Sequence, residues 1–360
     1  MPTTLRARGL AQGGALLFAL AIVLVPLRTL AAKNLDLWFI DVEGGQSTLI
    51  VTPAGESLLI DAGYSPNNRR GGGARFPGGR DAGRIMAVLE EAGVSRIDYL
   101  LITHFHPDHA GGVPLLAGKV PIGTFIDYDH PLGTPLGPDR LTAFAFMEYA
   151  PVRAKGHHLV ARAGDRLPLT GVDAEIVSAG GTLIQKPLRG GGQANGACRT
   201  LEDYPEDGTE NYRSIGVVFT FGRFRFFDPG DLSGNTLTRV ACPRNLVGPV
   251  SAYLISHHGN YDTAVPSLYA GLRPRAVIMN NGVDQGGHPD AFRAVHAFPA
   301  IDLWQLHRSQ NDGVENAPDQ FIANVDAGDV TGYALRMTAS DTGAFRIANP
   351  RTGFSKAYQR

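Results

Sequence analysis

Thr103-His104-Phe105-His106-Pro107-Asp108-His109-Ala110-Gly111-Gly112 is the stretch on which the reading of this chain turns. His104, His106, Asp108 and His109 all carry metal-ligand chemistry, since imidazole nitrogen and carboxylate oxygen are donors that zinc, iron and manganese accept. The apolar run Ile97 to Ile102 just before them has strand character. Two histidines two apart at a strand end point the same way, and a kink at Pro107 turns Asp108 and His109 to a neighbouring position. Such a set can serve two adjacent ions. Gly111-Gly112 permits close backbone packing behind it. A lone histidine is usually an ordinary polar residue, but a cluster this dense reads as a metal site.

Working outward, Leu35 to Val42, Ser47 to Thr52 and Ser57 to Ile60 read as short strands joined by Gly-containing turns. They form an antiparallel meander ending in Asp61-Ala62-Gly63. Tyr64 to Arg80 reads as an exposed loop. Asp81 to Ala92 changes to helical spacing through Ile85, Met86 and Leu89, with Gly93 as C-terminal cap.

Beyond the His-rich segment, Leu141 to Tyr149 reads as a helix and Asp165 to Val177 as a hairpin around Gly171. Gly180 to Gly208 reads as a surface loop over the site. Ser214 to Phe221 and Arg223 to Phe227 make another hairpin, ending in Asp228-Pro229-Gly230-Asp231. Ala252 to Ser256 is a strand leading to His257-His258-Gly259, and Ala276 to Asn280 a strand leading towards Gly287-His288-Pro289. Strands, a helix, then a strand tipped with metal-type residues indicate a layered α/β domain, sheets inside and helices outside.

The bulk composition excludes some classes. A formal net charge of -1 with 19% charged residues gives no strong global field toward nucleic acid or anionic membrane. Forty-five glycines and 24 prolines argue against a helical bundle. At the N-terminus, Arg6 and Arg8 precede an apolar run from Ala15 to Val25, then Ala31-Ala32. That is the order of a secretory signal peptide, and the run is short for a spanning helix. Cys198 and Cys242 are compatible with one disulfide or with two buried thiols. Neither lies in a CxxC, so no cysteine-based zinc site is indicated. His157-His158 reads as plain surface, and His130, His296 and His307 have no supporting context.

The segment His104 to Gly112 resembles the HxHxDH signature of the metallo-β-lactamase superfamily. Asp61-Ala62-Gly63 looks like the superfamily's first motif. The similarity is greatest to the extracellular hydrolase domain of ComEC-type competence proteins and their secreted stand-alone relatives. Those share, in order, a strand-turn-strand like Asp41 to Asp61, HxHxDHxGG, a segment like Asn211 to Asp231, His-His-Gly and Gly-His-Pro. The resemblance implies an α/β fold, the four-layer αββα metallo-β-lactamase sandwich. It implies a signal peptide over 1–32, a hydrolase domain over 33–348 and a C-terminal tail over 349–360.

It also implies a ligand set for two divalent ions, Zn2+ first, with Mn2+ or Fe2+ compatible. His104 and His106 would hold the first ion, Asp108 and His109 the second, Asp231 would bridge, and His288 would complete the second site. One departure stands out. The superfamily's usual histidine between the first motif and the bridging aspartate is missing, and Asn211 and Ser214 stand near its place. The first ion is therefore the less firmly held. His257 and His258 are open to three roles: ligand, donor to a developing oxyanion, or support that orients the ligands.

The expectation is an exported hydrolase, periplasmic or secreted, without stable membrane association after cleavage. Two ions about 3.5–4 Å apart would activate a hydroxide. Asp231 would orient it, Asp108 would accept its proton, and His257 or His258 would assist the leaving oxygen. A phosphodiester in nucleic acid is the first substrate class, with Arg189, Arg199, Arg213, Arg223 and Arg225 nearby in sequence. A small-molecule β-lactam or lactone is the alternative. Zinc β-lactamases of similar architecture place a cysteine as a ligand, in a context that Cys198 and Cys242 do not match. A non-catalytic metal- or DNA-binding module of the same fold is the third reading, disfavoured by the intact ligand set.

Overall fold

The computed structural model describes residues 34–71, 79–130, 140–200, 208–326 and 332–359. The expected signal peptide over 1–32 lies outside these residues. Ala32–Arg360 forms one compact unit. Among the described residues no helix is long and apolar enough to cross a membrane.

The opening meander forms as expected. β1 (Leu35–Phe39), β2 (Thr48–Val51) and β3 (Ser57–Ile60) pair antiparallel, with Phe39 opposite Thr48 and Thr48 opposite Ile60. Helix α1 (Arg80–Glu91) carries the chain to β4 (Ile97–Leu101), which lies parallel to β3. The short helices α2 (Pro107–Ala110) and α3 (Val113–Ala117) follow, then β5 (Ile122–Asp127), α4 (Arg140–Arg153) and β6 (His157–Val160). β5 and β6 extend the sheet in parallel.

The second sheet begins with β7 (Asp173–Ala179) and β8 (Thr182–Leu183), then the hairpin β9 (Gly216–Phe221) and β10 (Phe224–Asp228). Strands β11 (Ala252–Leu254), β12 (Ala276–Met279), β13 (Asp302–His307) and β14 (Ile322–Asn324) add on in parallel. Helices α5 (Gly234–Ala241), α6 (Pro266–Leu272) and α7 (Pro289–His296) serve as crossovers. The chain then returns to the first sheet as β15 (Leu335–Ala339), β16 (Phe345–Asn349) and β17 (Phe354–Tyr358), with β15 antiparallel to β1. The sheet orders are β17-β16-β15-β1-β2-β3-β4-β5-β6 and β14-β13-β12-β11-β10-β9-β7-β8.

The layering follows from side-chain alternation along the strands. Leu35, Leu37 and Phe39 join the larger core with Phe219, Phe226 and Tyr253 of the second sheet. The Phe39 and Phe226 rings meet edge to face at 5.6 Å. Trp38, Leu49 and Leu59 point the other way, onto Ile85 and Leu89 of α1, Leu116 of α3 and Phe146 of α4. On the second sheet, Leu237, Leu268 and Phe292 of α5, α6 and α7 join the larger core. This is the expected α/β sandwich of two sheets flanked by helices.

Three expectations change. The 349–360 stretch is not a tail, because β17 pairs along its length with β16 and stacks Tyr358 on Phe345 at 4.7 Å. The expected hairpin around Gly171 reduces to a single bridge between Arg166 and Glu175, and β7 pairs with β9 instead. Pro168 in the first arm lacks the N–H that a ladder needs. Within the expected surface loop, Cys198 is disulfide-bonded to Cys242 with Cα atoms 5.8 Å apart. The bridge ties the Gly196–Thr200 turn to the end of α5.

Candidate metal centre

The chemistry-bearing residues emerge beyond the carboxyl ends of β3, β4, β10 and β11, where open α/β sheets usually place their sites. After β4 the chain passes Thr103 to His106 and enters α2 with Pro107 at its first turn. Proline suits that position because its fixed φ matches the helix and its absent N–H is not missed. Asp108 and His109 therefore sit in a helical turn. The glycines behind them are required: a Cβ on Gly112 would lie 2.0 Å from Ala62 O, and one on Gly45 would lie 2.5 Å from Asp108 O.

Among the described residues three groups of side chains converge closely enough to hold a metal ion: Asp127, Asp129 and His158 form one, and the other two share a residue. One of these two comprises Asp108, His109, Asp231 and His258, all buried, and the other comprises His104, His106 and Asp231. Asp231 is common to both. Its Oδ2 lies 3.0 Å from His109 Nε2, 3.2 Å from His258 Nε2 and 3.8 Å from His104 Nε2. His258 Nε2 is also 3.3 Å from Asp108 Oδ2, and His104 Nε2 is 2.9 Å from His106 Nδ1. Asp231 Oδ1 is buried and meets no hydrogen-bond partner. A buried carboxylate oxygen left unpaired is costly unless a cation occupies its lone pairs. That orphaned oxygen and the mixed imidazole and carboxylate set fit divalent metal ions.

Asp61 stands behind His109. Its Oδ1 accepts from Thr103 N at 2.8 Å, and its Oδ2 lies 2.7 Å from both Thr103 Oγ1 and His109 Nδ1. An acceptor at Nδ1 keeps a proton there, so that Nε2 is the nitrogen that would offer its lone pair to a metal ion. On the other flank, Ser214 Oγ accepts from Asp231 N at 3.1 Å and fixes the aspartate's approach. Asp228 is fully buried and takes both Gln46 Nε2 contacts, at 3.1 and 2.9 Å, plus Gly230 N at 3.0 Å. Burial pushes its carboxyl up to about 7, with Asp61 and Asp231 adding to the shift and those donors opposing it.

Charge in the centre is unevenly shared. Burial disfavours a charged His109, but Asp231, Asp61 and Asp108 outweigh it and hold the imidazole well above its usual range. The same contest, against Asp231 and Asp108, brings His258 to about 9. Burial disfavours a charged Asp231 too, yet His109 and His258 keep it well below the usual carboxylate range. Asp108 is lowered in the same way by His109 and His258. Burial, with His109 and His106 beside it, drives His104 well below the normal histidine value. The first group thus offers a neutral imidazole, which is the form that binds a metal.

His288 is not in either group. Its side chain is 42% exposed, and its Nδ1 accepts from Asp290 N at 3.3 Å, so it caps the start of α7. His258 occupies the place in the second group expected of His288. The reason is the tight turn after β11, which puts His257 and His258 both at positive φ and swings His258 inward. His257 stays outside both groups, between Asp262 and Asn211. Asp61, Ser214 and Asp262 support the centre from positions to which sequence reasoning assigned no site role. Asp61 carried a signal as an acid at a strand end before Gly63, whereas Asp262 had none.

The expected arginine lining also changes. Arg225 is buried and spends its guanidinium on Pro249 O and Val247 O, at 2.8 and 3.0 Å. Arg223 reaches Thr342 O, Arg189 reaches Gly222 O and Arg213 reaches Tyr212 Oη. The Arg199 side chain lies outside the described residues. His158 is no plain surface residue, since its Nε2 lies 3.0 Å from buried Asp127.

A family model described as the metallo-beta-lactamase superfamily matches residues 40–207. No curated protein matches the chain. Similar solved structures include CmlA, a diiron beta-hydroxylase from Streptomyces venezuelae, at 15% identity over 74% of this chain and 49% of that one, TM-score 0.41. The metallo-beta-lactamase fold protein YhfI from Bacillus subtilis matches at 9% identity over 76% and 96%, TM-score 0.44. Zn(2+)-bound PqqB from Methylobacterium extorquens matches at 14% over 72% and 85%, TM-score 0.38. The chain spans about half the length of the CmlA structures. The family match runs from just after β1 through the His-rich segment, so this part of the chain is similar to the metallo-β-lactamase superfamily, and the two-sheet fold is consistent with that superfamily's sandwich.

Proposed function

We propose that this chain is an exported, metal-dependent hydrolase that cleaves phosphodiester bonds. The single observation that carries the reading is Asp231, whose carboxylate belongs to two adjacent ligand groups and whose Oδ1 has no partner. His104, His106 and Asp231 would hold one ion, and Asp108, His109, Asp231 and His258 the other. Zn2+ is the first choice on donor type, and Mn2+ and Fe2+ suit the same set. When bound, a pair of such ions lowers the pKa of water and neutralises charge growing on the attacked group.

The protein's own contribution is preorganisation. Thr103 and Asp61 hold His109 in one tautomer and one orientation. Ser214 holds Asp231 by its backbone, and Gly45 and Gly112 let the surrounding loops close on α2. Asp108 is the more solvent-reached of the two centre carboxylates, its side chain 12% exposed against 1% for Asp231. A proton released during hydrolysis therefore leaves by way of Asp108.

Phosphodiester hydrolysis is favoured over lactam opening by the donor set. Both cysteines are committed to the Cys198–Cys242 disulfide, so no thiolate enters the centre as in the zinc β-lactamases with a cysteine ligand. The disulfide also supports export, because such bonds persist in oxidising compartments. The test is turnover of bis(p-nitrophenyl) phosphate, nucleic acid and a chromogenic cephalosporin by the metal-loaded protein. Phosphodiester turnover that a chelator and Asp231→Ala both abolish is expected. Cephalosporin turnover alone would favour the lactam reading, and two bound ions without any turnover would favour a binding module.

A further inference from the structure

The two groups of ligands are unequal. The second has four donors, and the first has three, one of them the shared Asp231. Asn211, which is buried, stands with Ser214 near the place where the superfamily usually supplies a further histidine. His257 lies directly against that asparagine, with Nε2 3.2 Å from Asn211 Nδ2. On the far side of the ring, His257 Nδ1 lies 3.0 Å from Asp262 Oδ1 and 3.2 Å from Oδ2.

This arrangement repeats one already described. His109 has a carboxylate, Asp61, at Nδ1 and its Nε2 in the centre. His257 has a carboxylate, Asp262, at Nδ1, and its Nε2 is turned to Asn211, near the place of the absent histidine. Metal-binding histidines characteristically give the other ring N–H to such a carboxylate, which fixes the tautomer and leaves a lone pair for the metal. His257 also feels Asp231, and His106 feels His257, so it stands electrostatically beside the first group.

The backbone gives a second, independent sign. His257 has φ 46 and ψ 43, and His258 has φ 55 and ψ 19. Left-handed backbone is disfavoured at a residue with a side chain, so two in succession are held only where the surroundings demand them. The second of the pair delivers His258 to the ligand group around Asp108. A purely structural Asp262–His257 contact gives no reason for straining the first.

We infer that His257, oriented by Asp262, is the missing ligand of the first metal site, replacing from the β11 turn the histidine that this chain lacks near Asn211. The inference rests on the proposed two-ion centre. The ion would take over Nε2 from Asn211, whose Oδ1 is buried and otherwise unpartnered. Asp262 is a positioning residue: it touches neither ion nor substrate and acts through the ring.

The experiment is a metal titration, independent of turnover. Metal-free wild type, His104→Ala, His257→Ala and Asp262→Asn are titrated with Zn2+ against a chromophoric chelator, and Co2+ spectra are recorded. Wild type is expected to bind two ions. His257→Ala should weaken one of them more than about 100-fold and Asp262→Asn by about 10–100-fold, the span seen when the partner of a ligand is removed. The affected ion should be the one that His104→Ala removes, and its Co2+ bands should shift in Asp262→Asn. If His257→Ala fails to fold, judged by its metal-free melt, Asp262→Asn decides. Wild-type affinity for both ions in the folded variants would overturn the inference and leave the two-ion reading standing. A wild type that binds no ions, or a His104→Ala protein that loses none, would overturn that reading and the inference with it.

Discussion

Asp61 Oδ2 lies 2.7 Å from His109 Nδ1, on the face of the ring opposite Asp231, whose Oδ2 is 3.0 Å from Nε2. One imidazole thus joins the end of β3 to the end of β10, across the two sheets. The carboxylate behind the ring has no direct share in either group of ligands, yet it decides which nitrogen is free.

Asp61→Asn should therefore weaken one ion by about 10–100-fold while leaving the fold intact. The amide still accepts from Thr103 but cannot match a carboxylate at His109. Chelator competition measures the loss, and equal affinities in wild type and variant would rule this role out.

Asp231→Ala should be more severe, because the carboxylate belongs to both groups. Affinity for both ions should fall, each by more than about 100-fold, beyond what loss of a supporting contact causes. Elemental analysis after dialysis checks it. Retention of both ions would remove Asp231 from the centre.

His288→Ala separates the structure from the family pattern. His288 caps α7 and is absent from both groups, so metal stoichiometry should not change. Stability should drop by about 0.5–1 kcal/mol, the ordinary cost of losing a cap. A thermal melt and metal analysis on one preparation give both numbers, and loss of an ion would restore His288 as a ligand.

Much of this was legible in the sequence, for physical reasons that differ by element. The β1–β3 meander could be read because tight Gly turns separate short apolar strands. His104 to His109 could be read because all its donors are local to one strand end. His258 and Asp262 could not be assigned, since their places depend on two left-handed residues that no period reveals. Gly287-His288-Pro289 was expected to supply a ligand, and in the structure its histidine caps α7 instead, where Pro289 takes the first helical position. β15 to β17 escaped notice because they return to the first sheet from the far end of the chain.

Asp127 makes a stability prediction away from the centre. Burial alone would raise its pKa, but His158, Tyr149 and Arg153 outweigh burial and lower it. Tyr149 Oη donates at 2.6 Å and Arg153 Nη1 at 3.1 Å. A folded pKa below the unfolded value means the stabilisation is present above the ordinary carboxylate value of 3.8 and fades as pH falls through the folded one. Asp127→Ala should cost about 3–5 kcal/mol at pH 7, the penalty for stranding a buried partner. In urea melts the gap to wild type should narrow below pH 4, and a pH-independent gap would contradict the assignment.

The Cys198–Cys242 bridge spans a sequence separation of 44. Closing a loop of that length removes about 4 kcal/mol worth of chain entropy from the unfolded state. Cys198→Ser, and wild type with reductant, should lose much of that stability in parallel. Free thiols by mass spectrometry in protein purified without reductant would contradict the bridge.

The antiparallel pairing of β1 with β15 has a consequence for synthesis. A ribosome releases Leu35 to Phe39 long before Leu335 to Ala339. Until then, one side of β1 is a raw apolar edge, the kind of surface on which chains stick to each other. A chain truncated after His258 would own every residue of the two ligand groups and still lack the strand that closes its first sheet. Its inventory of candidate ligands would be complete while its solubility was not.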